Sequence, residues 1–304
     1  MNKMETTWIT GATGLLGRAI LEDFSTAYKG RFVGTGFSRA SGKVEKLNLL
    51  DKAGVEAFFE RNQPKFVIHS AAERKPDVSE KDPSATWALN VDVTEHLAKL
   101  CHKNGSWLLY ISTDYVFDGT APPYQPGDDT NPLNYYGKSK LAGEEVIQKV
   151  FDNFAILRVP ILYGEIQHLA ESAVTSVVLD LKGSLPSRQD NWAIRYPTHV
   201  GDVALICRQM VEQRSADEGF RGIFHWSGNE PYTKYQMACV MAPIMGINCE
   251  DITADPKPAK GTPRPQDCCL ESTLLESLAF GSQRSFPDAI EDILKRTNSK
   301  NQSS

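Results

Sequence analysis

The chain has 304 residues, 41% of them hydrophobic and 23% charged, with a net charge of −5. That length supports one large α/β domain or two modest ones, and the negative charge argues against nonspecific nucleic-acid binding, which needs a basic face. No stretch approaches the roughly 20 apolar residues of a membrane helix and no apolar signal core is present, so we expect a cytoplasmic protein. The six cysteines show neither CxxC nor Cys/His zinc spacing, and we predict no metal site.

Strand and helix patterns alternate through the first half of the chain. Strands are predicted at residues 8–10, 31–37, 44–49, 66–70, 107–112 and 154–159. Helices are predicted at residues 15–28, 55–61, 85–103 and 134–150. The strands are continuous apolar runs separated by helices, which is typical of a parallel sheet covered on both faces. The predicted fold class is therefore α/β, a Rossmann-type doubly wound parallel sheet.

The alternation becomes less regular after residue 164. Helices are predicted at residues 172–182, 199–213 and 233–245, a strand at 222–226, and a proline- and lysine-rich loop at 255–265. We divide the chain into a Rossmann domain that binds the cofactor, residues 1–164, and a smaller C-terminal lobe for substrate or partner, residues 165–304. The lobe is expected to pack on the sheet edge, and it can contribute to the same domain.

Three glycines, Gly11, Gly14 and Gly17, lie between the first predicted strand and the first helix. Glycine is needed in such a turn because the backbone bends sharply and approaches a pyrophosphate without an intervening Cβ. The following helix presents free N–H groups and the positive end of its dipole to the phosphates. In this context the motif predicts a bound dinucleotide, whereas a plain strand–turn–helix would leave the three glycines without a purpose.

The tip of the second predicted strand distinguishes between dinucleotides. NAD sites usually carry Asp or Glu there, about 20 residues after the glycines, to hold the ribose hydroxyls. This chain has no acid at that point but has Ser38 and Arg39. Arg39 can pair with a 2′-phosphate and Ser38 can donate to it, which favours NADP. The alternative is that Arg39 is a solvated surface arginine.

Tyr136 and Lys140 are one turn apart on one face of the predicted helix 134–150. An ammonium beside a phenol lowers the phenol's pKa, so Tyr136 could exchange a proton with a substrate oxygen during hydride transfer. Alone, the pair would be taken as a coincidence of two surface residues. It follows a predicted strand that runs into Ser112, Thr113 and Asp114, where a hydroxyl could hold a substrate carbonyl, and this context favours a catalytic role.

Three blocks of sequence together resemble a known family: residues 11–17, 111–119 and 133–140. The chain is similar to the extended short-chain dehydrogenase/reductases, close to the dTDP-4-dehydrorhamnose reductase branch. In those reductases the residues that match Thr113, Tyr136 and Lys140 are the catalytic set, and all three are present here. This resemblance implies the NADPH-dependent reduction of a nucleotide-linked keto-sugar.

Further blocks are similar to a narrower group, the regulatory β subunits of methionine adenosyltransferase 2. These blocks are residues 71–78, 161–164, 195–200, 224–230 and 233–239. The narrower resemblance implies an NADP-binding subunit that docks on the catalytic α subunit and modulates its synthesis of S-adenosylmethionine. The cofactor contacts that it implies are Thr13, Gly14, Leu15, Leu16, Phe37, Ser38, Arg39, Asn48, Leu49, Ser70, Arg74, Tyr136, Lys140 and Leu162.

Two functions therefore stand as alternatives, a regulatory subunit that holds its dinucleotide as a ligand and an active reductase. The retained Thr113, Tyr136 and Lys140 favour the reductase. Residues 73–78, which replace a reductase-type Ala-Tyr-Thr-x-Val-Asp segment, and residues 225–230 favour the regulatory subunit. A third alternative keeps the fold and loses the dinucleotide, but it conflicts with the intact glycines. We predict the regulatory subunit, with Tyr136 either a proton donor or a ribose contact.

Overall fold

The computed structural model describes residues 5–183 and 185–302 of the chain. The strands are β1 (Thr6–Thr10), β2 (Arg31–Gly36), β3 (Val44–Lys46), β4 (Phe66–His69), β5 (Trp107–Thr113), β6 (Phe154–Val159), β7 (Leu162–Tyr163), β8 (Ser187–Asp190), β9 (Thr198–His199), β10 (Gly222–His225) and β11 (Ile252–Asp255). The helices are α1 (Leu15–Ala27), α2 (Lys52–Asn62), α3 (Pro76–Lys81), α4 (Pro83–Trp87), α5 (Val93–Asn104), α6 (Tyr135–Val150), α7 (Val177–Gly183), α8 (Val200–Ala216), α9 (Lys234–Ile244), α10 (Thr273–Ser277) and α11 (Phe286–Gln302).

Seven strands form one parallel sheet in the order β10-β6-β5-β4-β1-β2-β3. The sheet separates two hydrophobic layers, because neighbouring residues of a strand point to opposite faces. Trp8 packs in the layer that contains α2 and α5, whereas Ile9 packs in the layer that contains α1 and α8. β1 and β5 are buried along their whole length, as strands covered on both faces must be. The predicted α/β doubly wound fold class is confirmed.

Residues after 164 add to this sheet and to its cover. β10 pairs with β6 in parallel, from Gly222 opposite Ala155 to His225 opposite Arg158. α8 supplies buried side chains to the same hydrophobic layer as α1. Two further pairs of parallel strands, β8 with β11 and β7 with β9, lie outside the central sheet. The residues after 164 thus contribute an edge strand to the central sheet, both strands of the β8–β11 sheet, and β9, which pairs with β7.

The predicted helix 85–103 is interrupted in the structure. α4 and α5 are joined through a π-helical segment, Ala88–Asp92. Asn90, buried within that segment, accepts from the Glu73 amide (2.8 Å) and donates to the Glu73 carbonyl and to Ser139 Oγ (both 2.9 Å). The π-helical turn places the Asn90 side chain between Glu73 and Ser139. The spacing of apolar residues in the sequence does not reveal this turn.

The predicted helix 172–182 begins later than its apolar pattern indicates, at Val177. Ser172 Oγ accepts from the Val174 amide (3.1 Å), and Thr175 Oγ1 donates to the Leu169 carbonyl (2.7 Å). Hydroxyl side chains that bond to nearby backbone compete with helical hydrogen bonds, so residues 172–176 form turns. No helix is predicted from the sequence at α3, α10 or α11, and the structure adds all three.

Within residues 5–183 and 185–302, no helix has both the length and the apolar content that crossing a membrane requires. α8 and α11, for example, have 17 residues each. Both contribute one buried face to the hydrophobic layer of α1.

The turn between β1 and α1 brings backbones into direct contact. Gly11 has φ = +65°, and its carbonyl accepts from the Gly14 amide at 2.8 Å. A Cβ on Gly17 would lie 2.2 Å from the Gly11 oxygen, and a Cβ on Gly11 would lie 2.8 Å from the backbone of Ala71. Only glycine at these two positions lets α1 start directly behind β1 and beside the end of β4.

Substituting Gly17→Ala tests this contact, because helix propensity and packing predict opposite results. Alanine in a helix is intrinsically favoured over glycine by about 1 kcal/mol. The clash with the Gly11 carbonyl should override that gain and lower the free energy of unfolding by about 2 kcal/mol. Chemical denaturation measures the difference. Gly127→Ala is the control, since a Cβ there meets nothing within 4 Å. A Gly17→Ala protein as stable as the control would contradict the close contact.

Candidate functional site

The start of α1 is a place where an anion can bind. Gly14 is the N-cap residue and has no side chain to occupy the first amide groups, and the first turn of α1 has no acidic residue. A helix N-terminus of this kind presents unpaired N–H groups and a partial positive charge. The predicted contacts Thr13, Gly14, Leu15 and Leu16 all lie at this point. They therefore share one candidate phosphate site.

Two arginines pair with the carboxylate of Glu171 beside this helix, and a third bonds to the main chain of Glu171. Arg18 pairs with both carboxylate oxygens of Glu171, at 2.7 Å and 2.8 Å, and also donates to the Thr13 carbonyl (3.0 Å). Arg39 Nη1 donates to Glu171 Oε1 at 3.1 Å. Arg74 donates to the main-chain carbonyl of Glu171. We call Arg18, Arg39, Arg74 and Glu171 the arginine cluster.

The arginine cluster has an excess of positive charge. Burial would raise the pKa of Glu171, but hydrogen bonds from Arg18, the Gln167 amide and Arg39, together with the Arg18 charge, lower it to about 2. Three guanidinium groups against one carboxylate leave two positive charges at neutral pH. A phosphate monoester carries nearly the same number of negative charges. Arg39 is exposed at the surface, as the alternative from the sequence has it, and it also belongs to this ion-pair network.

Polar side chains join the end of β4 to the end of β1. Ser70 Oγ donates to the Thr10 carbonyl (2.7 Å), and Thr10 Oγ1 hydrogen-bonds to His69 Nδ1 (2.8 Å). His69 Nε2 in turn lies 3.1 Å from Thr94 Oγ1. Burial, aided by the charge of Lys140, lowers the pKa of His69 to about 3, so the ring is neutral at physiological pH. Ser70 is thereby held beside the glycine turn.

The other predicted cofactor contacts lie after the carboxyl ends of strands or in β7: Phe37, Ser38, Asn48, Leu49 and Leu162. Phe37 and Ser38 are exposed directly after β2. Asn48 and Leu49 follow β3, and Leu162 pairs in register with Thr198 of β9. Ligands of doubly wound sheets bind outside the carboxyl ends of the strands. These five residues stay predictions whose positions are consistent with that rule.

The predicted catalytic residues meet where β5 ends and α6 begins. Thr113 ends β5, and Tyr136 lies in the first turn of α6, close enough for the threonine hydroxyl to affect the pKa of the phenol. Lys140, one turn further along α6, is buried and donates from Nζ to the Ile111 carbonyl at 2.8 Å. Its Nζ also lies 3.9 Å from the centre of the Tyr110 ring. Thr113 and Tyr136 therefore lie near each other, and Lys140 is bonded to the strand that carries Thr113.

The predicted lowering of the Tyr136 pKa by Lys140 is wrong for this structure. Burial raises the pKa of Tyr136 well above its usual value, and the hydrogen bond with Thr113 opposes that shift only in part. Burial also lowers the pKa of Lys140 to about 7, and the negative charge of Glu144 opposes that shift. At neutral pH the phenol is protonated and the lysine is only partly charged. The group holds a proton that it could donate, and not a phenolate.

A buried ion pair adjoins these residues and was missed from the sequence. Glu144 has no exposed surface and accepts from Arg158 Nη2 (2.7 Å) and Nε (3.0 Å). Ser112 Oγ donates to the same carboxylate. Tyr136, Lys140 and Glu144 recur every four residues, so they share one face of α6. That spacing was the available signal, and it would have added Glu144 to the predicted group.

An acid lies next to this group, and a cavity lies near the N-terminal cap of α6. Asp114 accepts from Thr113 Oγ1 (3.0 Å), and burial raises the pKa of Asp114 to about 7 against that hydrogen bond and the charge of Arg195. A cavity of about 300 Å³ is lined in part by Trp192, Pro263 and Arg264. The Pro263 carbonyl accepts from the side chain that caps α6, so the cavity wall is joined to the helix that carries Tyr136. Among the described residues, no three His, Cys, Asp or Glu side chains are grouped as a metal site would need.

The chain is similar to known proteins over almost its whole length. Residues 4–299 match the family model of the RmlD substrate binding domain. The chain is 46% identical over 288 residues to methionine adenosyltransferase 2 subunit beta from Bos taurus, which covers 94% of this chain and 86% of that protein. The family match spans the arginine cluster as well as Thr113, Tyr136 and Lys140.

Solved structures share the fold. A dTDP-4-dehydrorhamnose reductase from Clostridium acetobutylicum superposes with a TM-score of 0.81 at 24% identity, over 96% of this chain and 99% of that one. The dTDP-4-dehydrorhamnose reductase from Bacillus anthracis, solved in complex with NADP, has a TM-score of 0.79 at 23% identity, over 96% of this chain and 98% of that one. At these identities the likeness establishes the fold.

The lowered pKa of Lys140 predicts how stability depends on pH. The folded pKa of about 7 lies below the usual 10.5, so the unfolded chain binds more protons between those pH values. The penalty for burying the ammonium is full below about pH 7 and is lost above pH 10.5. The free energy of unfolding of Lys140→Met, relative to the natural protein, should therefore fall as pH rises through this window, by at most about 1.4 kcal/mol per pH unit.

Urea unfolding at several pH values measures this difference. Lys138→Met, an exposed position on the same helix, is the matched control and should show a constant difference. A constant difference for Lys140→Met as well would contradict the assigned burial penalty.

Proposed function

Since this chain belongs to the RmlD substrate binding domain family, and within it to the family of methionine adenosyltransferase 2 β subunits, we propose that it is a regulatory subunit that binds NADP. It docks on a catalytic α subunit and modulates the synthesis of S-adenosylmethionine, which it does not itself carry out. The observation that carries this proposal is the 46% identity to the bovine protein over 94% of the chain. The cytoplasm, predicted from the sequence, is the proposed location.

The described residues fit NADP. The glycine turn brings the end of β1 and the start of α1 together without an intervening Cβ, and the amides at the start of α1 would hold the pyrophosphate. Arg39, with Ser38 and Arg74, would hold the 2′-phosphate, and the two excess positive charges of the arginine cluster support that assignment. NADP supplies hydride chemistry when it is bound. In the regulatory proposal it is a ligand that this chain retains and does not consume.

A second candidate function, the reduction of a nucleotide-linked keto-sugar, is favoured by one observation. Burial keeps Tyr136 protonated, and it lies near Thr113, so it could give a proton to a substrate oxygen. The cavity beside α6 offers room for a substrate, with Arg264 and Trp192 on its wall. We rank this candidate second because the match to the regulatory subunits is closer in sequence than the match to the reductase structures.

Co-purification with a catalytic α subunit tests the regulatory proposal. The two chains should elute together at micromolar concentrations, and the rate of S-adenosylmethionine synthesis should differ from that of the α subunit alone. A dTDP-4-dehydrorhamnose reductase of the same fold is the control and should neither bind nor change the rate. Separate elution together with an unchanged rate would count against the regulatory function.

Mixing the protein with dTDP-4-dehydrorhamnose and NADPH tests the second candidate. The regulatory proposal predicts no steady loss of NADPH absorbance. Steady turnover would instead establish a reductase, and replacing Tyr136 by Phe should then abolish the turnover because the proton donor is lost.

Arg39→Ala tests the assignment of the 2′-phosphate. Affinity for NADPH should fall by about 10- to 100-fold, the effect of losing a hydrogen bond between charged groups, while affinity for NADH should change little. Titration calorimetry measures both affinities. Arg221→Ala, an exposed arginine paired with Asp152, is the matched control. Equal losses for NADPH and NADH would refute the assignment.

A further inference from the structure

Glu171 is anchored more firmly than the arginine it contacts. Its side chain is 3% exposed, whereas that of Arg39 is 45% exposed. Arg18 holds both carboxylate oxygens, and the Gln167 amide donates to Oε2 at 2.8 Å. These contacts do not involve Arg39. The Glu171 carboxylate is therefore held in place independently of Arg39. Arg39 is a long, exposed side chain, and its bond to Glu171 restricts its position.

Arg39 keeps donors for a ligand while it is attached in this way. Among the described residues, its hydrogen bonds run to Glu171 Oε1 (3.1 Å) and to Gln167 Oε1 (3.2 Å), and both start from Nη1. A guanidinium has five N–H donors in a rigid fork, so Nη2 and Nε are left for an anion. Glu171 and Gln167 thus restrict the orientation of Arg39 without using all its binding capacity.

We propose that Glu171, assisted by Gln167, is a positioning residue that makes the site prefer NADP to NAD by holding Arg39 in place for the 2′-phosphate. This inference rests on the proposed NADP site and extends it to residues that lie about 130 positions further along the chain than Arg39. Preorganisation of this kind improves affinity because the side chain loses less conformational freedom on binding.

The opposite effect is expected if Glu171 acts only through its charge. A carboxylate close to a phosphate repels it, so removing the negative charge of Glu171 would tighten NADPH binding by electrostatics alone. Loss of positioning would weaken it. The sign of the change in affinity therefore decides between the two accounts. A purely structural role would reduce the affinities for NADPH and NADH alike.

Glu171→Gln is the first test, with NADPH and NADH affinities measured by titration calorimetry. The affinity for NADPH should fall about tenfold, and the affinity for NADH should not change. The ratio of the two affinities should therefore fall about tenfold as well. In an Arg39→Ala background the substitution should have no further effect on NADPH, because the group it positions is gone. Glu165→Gln is the matched control, since Glu165 lies in the same segment and its carboxylate pairs with Arg296.

Gln167→Ala is the second test and decides the matter if Glu171→Gln does not fold. Gln167 is exposed. The Gln167→Ala substitution should lower only the NADPH affinity, by a few-fold. Tighter or unchanged NADPH binding in whichever variants fold would overturn the inference, and so would parallel losses for both cofactors. A natural protein that binds NADPH no better than NADH would instead refute the proposed NADP site itself, so the two failures are distinguishable.

Discussion

The close approach of backbones at the glycine turn is the constraint on which the rest of this structure depends. Gly17 lies against the Gly11 carbonyl, and Gly11 lies against Ala71, with no space for a Cβ at either glycine. This contact lets α1 pack directly on β1, so that Ile9 and Ile20 belong to one hydrophobic layer. It also places the positive end of α1 at the carboxyl edge of the sheet, where ligands of this architecture bind.

Ion pairs and hydrogen bonds to Glu171 connect segments that are far apart in the sequence and meet beside this turn. α1, the segment after β2 and the segment after β4 each supply one arginine, and all three contact Glu171 from the second half. Exposed ion pairs contribute little to stability, but Glu171 is almost fully buried and cannot lose its partners without leaving an isolated charge. In a regulatory subunit, this network would link the cofactor site directly to the segment that carries Glu171.

Features that depend on neighbouring residues could be predicted from the sequence. The glycine spacing, the buried strands and the Tyr136–Lys140 pair follow from short-range pattern, and the parallel sheet was confirmed. Features that depend on distant contacts could not. Glu171 is 153 residues from Arg18, and nothing in its local sequence marks it as the partner of three arginines. The pKa of Tyr136 was wrongly predicted for the same reason, because burial depends on the whole fold and outweighs one neighbouring charge.

The proposals for this chain depend on a dinucleotide held through its 2′-phosphate. Calorimetric titration of the natural protein with NADP⁺ and, separately, with NAD⁺ tests this binding, because the two ligands differ only in that phosphate. NADP⁺ should bind at least about tenfold more tightly, and its advantage should shrink as salt screens the exposed part of the arginine cluster. Equal affinities, or no binding of NADP⁺, would refute the 2′-phosphate site.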